Sequence, residues 1–173
     1  EVVMSRFILV LMCLLLLFVG INAYAADKGD PIGSFKKAKW IWYPIGDPAD
    51  SIPMGNAFFR KLIEIPANKE IESAYIGITC DDSFSFSVNS VNAGKGEDWN
   101  KLNTFDIGMY LRQGKNVIAI EGTNSSESPA GMLCKIVVKY KSAKSAIEIV
   151  SDKSWKCSQI ANSDWLSIDF SDK

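Results

Sequence analysis

The sequence predicts an all-β sandwich. Short segments rich in β-branched and aromatic residues recur along the chain, with turn chemistry between them. No long stretch shows the helical period, and no internal repeat or low-complexity tract interrupts the pattern.

Taken in order, Trp40-Ile41-Trp42-Tyr43 is an aromatic run stopped by Pro44. Residues 57–65, A-F-F-R-K-L-I-E-I, place Phe59, Ile63 and Ile65 on one face, and Pro66 ends them. In 73–80, Ala74, Ile76, Ile78 and Cys80 alternate with Ser73, Tyr75, Gly77 and Thr79. Phe84, Phe86 and Val88 alternate with Ser85, Ser87 and Asn89, the pattern of a strand buried on one face. Residues 106–112, D-I-G-M-Y-L-R, are the one helical hint and predict a single turn. Val117–Ile120, M-L-C-K-I-V-V-K-Y at 132–140 and I-E-I-V at 147–150 supply further strands. Trp40, Trp42 and Trp155 lie within these runs and are expected in the core. After Trp165 the chain ends in D-F-S-D-K without a closing strand, as a clipped domain would.

Antiparallel reversal of consecutive strands fixes where the loops fall. With the end of strand 73–80 taken as the top, the Asp81-Asp82-Ser83 turn, the K-G-E-D-W loop at 95–99 and the T-N-S-S-E-S-P-A-G loop at 123–131 share one rim. Asp81, Asp82, Asp98, Trp99 and Asn124 are thereby expected close together, as candidate ligand-binding residues on loops carried by a rigid scaffold.

The chemistry available to them is narrow. The chain has no histidine, which removes the commonest general base and zinc ligand. No nucleophile elbow or phosphate loop appears. Asp81 and Asp82 are neighbours at a strand end, where alternation should aim them to opposite sides, so one cleft is not expected to receive both as an acid/base pair. They suit a turn cap, or hard oxygen ligands for Ca²⁺ together with Asp98 and Asn124, although the spacing matches no calcium loop. Trp99 suits either stacking on a sugar ring or plugging the end of the core. Asn124-Ser125-Ser126 is a glycosylation sequon.

Net charge is −1 with acids and bases interspersed, so there is no basic stripe for nucleic acid. The start of the chain reads as a secretory leader: Met4-Ser5-Arg6, an apolar run from Phe7 to Val19, then Ala23-Tyr24-Ala25. The organisation expected is a signal peptide at 1–25, a polar lead at 26–39 and the sandwich at 40–173. No membrane attachment is expected after cleavage, and the location is secreted, periplasmic or cell-surface. Cys80, Cys134 and Cys157 remain beyond the leader, widely spaced, and are expected as free core thiols ahead of one disulfide with one cysteine left over.

W-I-W-Y-P, F-F-R-K-L-I-E-I-P, I-T-C-D-D-S-F-S-F-S-V-N, G-K-G-E-D-W, D-I-G-M-Y-L-R-Q-G-K-N-V-I-A-I, A-G-M-L and S-D-K-S-W-K-C-S follow one another in this order. Together they resemble the galactose-binding-like jelly-roll domain that accompanies bacterial α-L-rhamnosidases and related glycoside hydrolases. The resemblance implies a β-sandwich jelly roll without catalytic residues, acting as a carbohydrate-binding module or packing against a catalytic domain, with calcium at the sugar site in some members. On its motifs Asp81 and Asp82 match the acidic turn, Asn89 the hairpin, Trp99 the loop tryptophan and Asn124 the loop before A-G-M-L. It departs at the hairpin, where Asn89-Ser90 stands in place of Asn-Gly, and at its three cysteines, where small or aliphatic residues are typical. A non-catalytic, exported carbohydrate-binding or accessory module is the expectation. A structural or protein-interaction sandwich, and an N-terminal piece of a larger glycoside hydrolase, are the alternatives.

Overall fold

Alternating side chains dictate the architecture, because a strand with one apolar face must bury that face against a second sheet. A computed structural model describes residues 29–141, 143, 144 and 146–172. The leader read at residues 1–25 lies outside the described residues. Nine strands form two antiparallel sheets: β1 (Gly55–Ile65), β2 (Ile71–Asp81), β3 (Ser83–Val88), β4 (Val91–Glu97), β5 (Asn103–Asp106), β6 (Gly114–Asn124), β7 (Gly131–Tyr140), β8 (Ile147–Val150) and β9 (Lys156–Ser158). One sheet runs β4-β3-β6-β1-β9 and the other β5-β2-β7-β8. This is the all-β sandwich jelly roll expected, and the helical hint is a single 3-10 turn at Gly108–Tyr110.

The core lies between the sheets. Phe59, Ile63 and Ile65 of β1, Ala74, Ile76, Ile78 and Cys80 of β2, and Phe84, Phe86 and Val88 of β3 are all buried, as their alternation requires. Ile118 and Ile120 of β6 and Met132, Cys134, Ile136 and Val138 of β7 complete it. Gly94 on β4 leaves room for an aromatic cluster, since a Cβ there would lie 2.6 Å from Phe105 and 2.8 Å from Phe86. Phe86 and Phe105 meet there in a tilted contact, 5.0 Å between centroids. Cys80, Cys134 and Cys157 are free thiols. Burial pushes the Cys80 thiol up to about 12, with the neighbouring Asp81 charge adding to the shift, which leaves it protonated and unreactive.

Two expectations change. Residues 40–43 form no strand, only an isolated bridge between Ile41 and Met132, because Pro44 and the turn after it prevent a longer ladder. The packed unit also takes in residues from Ile32, which is 2% exposed. Nearby, the buried Lys135 ammonium donates to the Ser34 carbonyl at 3.0 Å and pairs with Glu148 at 2.8 Å. At the other end, residues after β9 lie against β1. Trp165 meets Phe58 edge-on at 5.1 Å, and the buried Arg60 pairs with Asp172 at 2.7 Å under the Phe170 ring.

The bottom of the sandwich is closed by side-chain amides. Asn116 is fully buried, donates to the carbonyls of Arg112 and Gly114, and accepts from the Arg112 amide and from Asn89. Asn89 also donates to the Tyr110 carbonyl at 2.9 Å and accepts from Val117 N–H at 3.0 Å. Asn89 and Ser90 form the two-residue loop between β3 and β4 with φ of 51° and 69°, the pair of positive angles that a type I′ turn demands. Replacing Asn116 by Ala leaves several buried polar groups without partners and should cost about 2–3 kcal/mol of unfolding free energy, read from urea denaturation. Ser90→Gly should instead stabilise by about 0.5 kcal/mol in the same assay. Relief of a left-handed serine, about 1 kcal/mol, outweighs loss of its exposed hydrogen bond to the Leu166 carbonyl.

Candidate functional site

Every strand from β1 to β8 runs opposite to the one before it, even where the chain changes sheets, so the loops read from the sequence as sharing a rim do share it. The registers place Asp81 beside Gly131, Ser83 beside both Glu97 and Thr123, and Gly55 beside Asn124.

Asp82 is the single residue between β2 and β3, which belong to different sheets. Its N–H donates to the Thr123 carbonyl at 2.7 Å, and its own carbonyl accepts from Asp98 N–H at 3.0 Å. Its carboxylate accepts from the Ser125 N–H at 2.8 Å and from the Ser125 hydroxyl. Those Ser125 bonds hold the Asp82 carboxyl below the usual carboxylate range. Asp81 moves the other way. Partial burial raises its pKa, and the adjacent Asp82, through a hydrogen bond and its charge, raises it further.

Both carboxylates border one open cleft of about 860 Å³. The expectation that one cleft would not receive both is corrected: strand alternation stops at Asp81, since Asp82 already belongs to the crossing. Trp99 stands on the cleft wall and is 50% exposed, while its carbonyl accepts from the Thr79 hydroxyl at 2.7 Å. It does not plug the core.

Asp98 and Asn124 are placed differently. Asp98 is exposed, is absent from the cleft wall and caps its own turn by accepting from Asn100 N–H at 3.0 Å. Asn124 is fully buried; its amide donates to the Ile52 carbonyl at 3.0 Å and accepts from the Ser128 hydroxyl at 2.9 Å. It anchors the 125–130 loop to residues 52–53 and has no atom left for a ligand. The four-oxygen calcium arrangement is therefore not assembled, and among the described residues no cluster of three or more acidic, cysteine or histidine side chains converges as a metal site.

The cleft also has a wall that the sequence reading assigned to the core. Trp40 is 51% exposed and Trp42 half-buried, and both border the cleft with Asp47, Pro48 and Ala49. Trp40 lies against Gly131, where a Cβ would come within 2.8 Å of the indole. Trp42 packs on Phe59 at 5.7 Å and so joins core to cleft. Of the three tryptophans expected in the core, Trp155 alone is fully within it, 6% exposed with its indole N–H on the Val150 carbonyl. One signal for Trp40 was present: in an extended segment Trp40 and Trp42 share a face opposite Ile41, which is the residue bridged to β7.

Two antiparallel sheets and a loop-rim cleft with aromatic and carboxylate walls define a β-sandwich domain of the jelly-roll type. No protein-family model matches the chain. An α-L-rhamnosidase of Streptomyces avermitilis is 30% identical over 146 residues, which are 80% of this chain and 14% of the relative. The structure of the Streptomyces avermitilis α-L-rhamnosidase complexed with L-rhamnose superposes with a TM-score of 0.74 at 29% identity, covering the same 80% and 14%. A lectin from Pleurotus ostreatus in complex with GalNAc gives a TM-score of 0.70 at 30% identity, over 78% of this chain and 40% of the lectin. The chain is thus similar to one segment of an α-L-rhamnosidase, as an accessory β-sandwich domain of such enzymes would be, and it spans only 14% of the length of the rhamnosidase it matches.

The opposed shifts of the two carboxyls are directly measurable. In a carboxyl-resolved NMR titration Asp81 should protonate first as pH falls and Asp82 last. Ser125→Ala should raise the Asp82 midpoint, because it removes the hydroxyl bond that favours the charged form. Since the Asp82 pKa is depressed by folding, its stabilising contribution is present above the unfolded value of about 3.9 and is lost as pH falls through the folded pKa. Titration in the opposite order would contradict this assignment.

Proposed function

We propose that the chain is a non-catalytic carbohydrate-binding or accessory module, with sugar bound in the rim cleft. One observation carries the reading: two half-exposed tryptophans, Trp40 and Trp99, border the same cleft as the adjacent carboxylates Asp81 and Asp82. The apolar face of a pyranose packs on an indole, while carboxylates accept hydrogen bonds from its hydroxyls, the mixture of apolar wall and few polar anchors that small-ligand sites use. The lectin and the rhamnosidase among its structural relatives, solved with GalNAc and L-rhamnose respectively, support the same class of ligand. Within this reading Asp81, Asp82, Trp99 and Trp40 contact sugar, Asn124 holds the loop behind them, and Asp98 positions the turn beside Asp82.

Catalysis is assigned elsewhere. The carboxylates sit on consecutive residues with one tied to Ser125, so they do not flank a bond from two sides as glycoside hydrolysis requires. A catalytic domain of a glycoside hydrolase is the partner this reading implies, and the leader pattern in the sequence supports export.

Trp99→Ala and Trp40→Ala should each weaken binding to a recognised glycan about five- to tenfold, corresponding to about 1–1.5 kcal/mol of lost stacking. The measurement is a glycan array followed by titration calorimetry, with an unchanged urea midpoint confirming the fold. Array binding unaffected by both substitutions would remove the cleft as the sugar site.

A further inference from the structure

The cleft has a one-sided electrostatic character that the sugar reading leaves unused. Asp47, Asp81 and Asp82 border it, and no lysine or arginine does. Among the described residues none of the three takes part in a salt bridge. Asp47 and Asp82 have partners, but these are neutral: the Ala49 N–H for the first and Ser125 for the second. The charge that acts on Asp81 is that of the adjacent Asp82. The rest of the wall joins three indoles, from Trp40, Trp42 and Trp99, to uncharged residues that include Ser126 and Ser128.

Carboxylates and indole faces have one ligand property in common, attraction to positive charge. A carboxylate attracts a cation directly, and the ring quadrupole attracts it through the indole face, tryptophan being the strongest of the aromatic residues. A neutral ligand seated here would strip water from two adjacent carboxylates while leaving their mutual repulsion in place. An ammonium group relieves that repulsion and is desolvated against partners that favour it.

We propose that the cleft selects a glycan whose contacting sugar carries a free, protonated amino group, with its ring on Trp99 or Trp40 and its ammonium at the Asp81–Asp82 carboxylates. The inference rests on the cleft being the sugar site and adds the ligand class. Free amino sugars of the glucosamine and galactosamine type, or polymers of them, fit; their N-acetylated counterparts keep the ring and lose the charge.

The test titrates the full chain with matched β-linked trisaccharides of glucosamine, N-acetylglucosamine and glucose at neutral pH, at 20 mM and about 500 mM salt. The glucosamine trisaccharide should bind about tenfold more tightly than its N-acetylated form at low salt, with the ratio shrinking at high salt. Asp81→Asn should bring that ratio toward one. Asp47→Asn, farther from the crossing, should lower it by a smaller factor and serves should Asp81→Asn disturb the turn. Equal or tighter binding of the N-acetylated or neutral trisaccharide, still sensitive to Trp99→Ala, overturns the ammonium assignment and leaves the sugar site standing. Binding of the amino trisaccharide that is insensitive to Trp99→Ala and Trp40→Ala overturns both, since the charge is then met elsewhere on the surface. Absence of binding to all three, and to every glycan on the array, likewise overturns both.

Discussion

The rim is organised by a single residue that must leave one sheet and enter the other. Asp82 spans that gap, and a residue in such a crossing cannot satisfy its backbone groups within either ladder alone. Its N–H goes to β6, its carbonyl to the turn at Asp98, and its carboxylate to the start of the 125–130 loop. Three chain segments distant in sequence are thus fixed to one another by the partners of one aspartate. These bonds fix the part of the rim that contributes Asp81 and Asp82 to the cleft, whose wall also includes the aromatic segment at 40–42. A charged side chain in this role has a further effect: it sets a negative charge beside Asp81, and so gives the two carboxyls unlike acidities from one local arrangement.

Much of this was legible in the sequence, for reasons that can be named. Period-two alternation identifies the core-facing residues of β1, β2 and β3, whereas Arg60, Thr79 and Ser87 on the opposite faces are buried by other contacts that alternation does not show. Rim placement followed from antiparallel reversal alone, and it held although β2 and β3 lie in different sheets, since a crossing between facing sheets also reverses the chain. The failures share a cause as well. Trp40 reads as core because it lies within a strand-like run, whereas exposure depends on whether a strand partner exists, and that is a tertiary fact. Asn124 looked like a ligand residue because it sits in a polar loop, yet its amide is consumed by Ile52 and Ser128, one of them more than seventy residues away in sequence. Asp81 and Asp82 were separated by an alternation rule that ends where the strand ends.

The two ends of the sandwich are stabilised by different means, and function follows the difference. At the bottom, Asn89 donates to Asn116 and both bond to the surrounding backbone, a network in which the amides satisfy one another. At the top, the corresponding polar groups are carboxylates with only part of their acceptor capacity used, flanked by the half-exposed indoles of Trp40 and Trp99. A closed amide network rigidifies; a partly used set of acceptors beside exposed aromatic faces leaves polar and apolar surface open to a ligand. The free thiols belong with the first category, since Cys80 and Cys134 are buried as small apolar side chains within β2 and β7.

The burial of Asn124 reaches beyond the rim. Its sequon would be available to an oligosaccharyltransferase only while the 52–53 and 128 segments are still apart, because the amide nitrogen that would receive the glycan is the one that donates to Ile52. Folding and modification compete for the same atom. In a host that glycosylates exported proteins, a chain modified at this position could not seat the amide again, and would emerge with its binding loop unanchored. In a host without that machinery the site is invisible. The origin of the material therefore decides whether the rim is intact before any ligand is added.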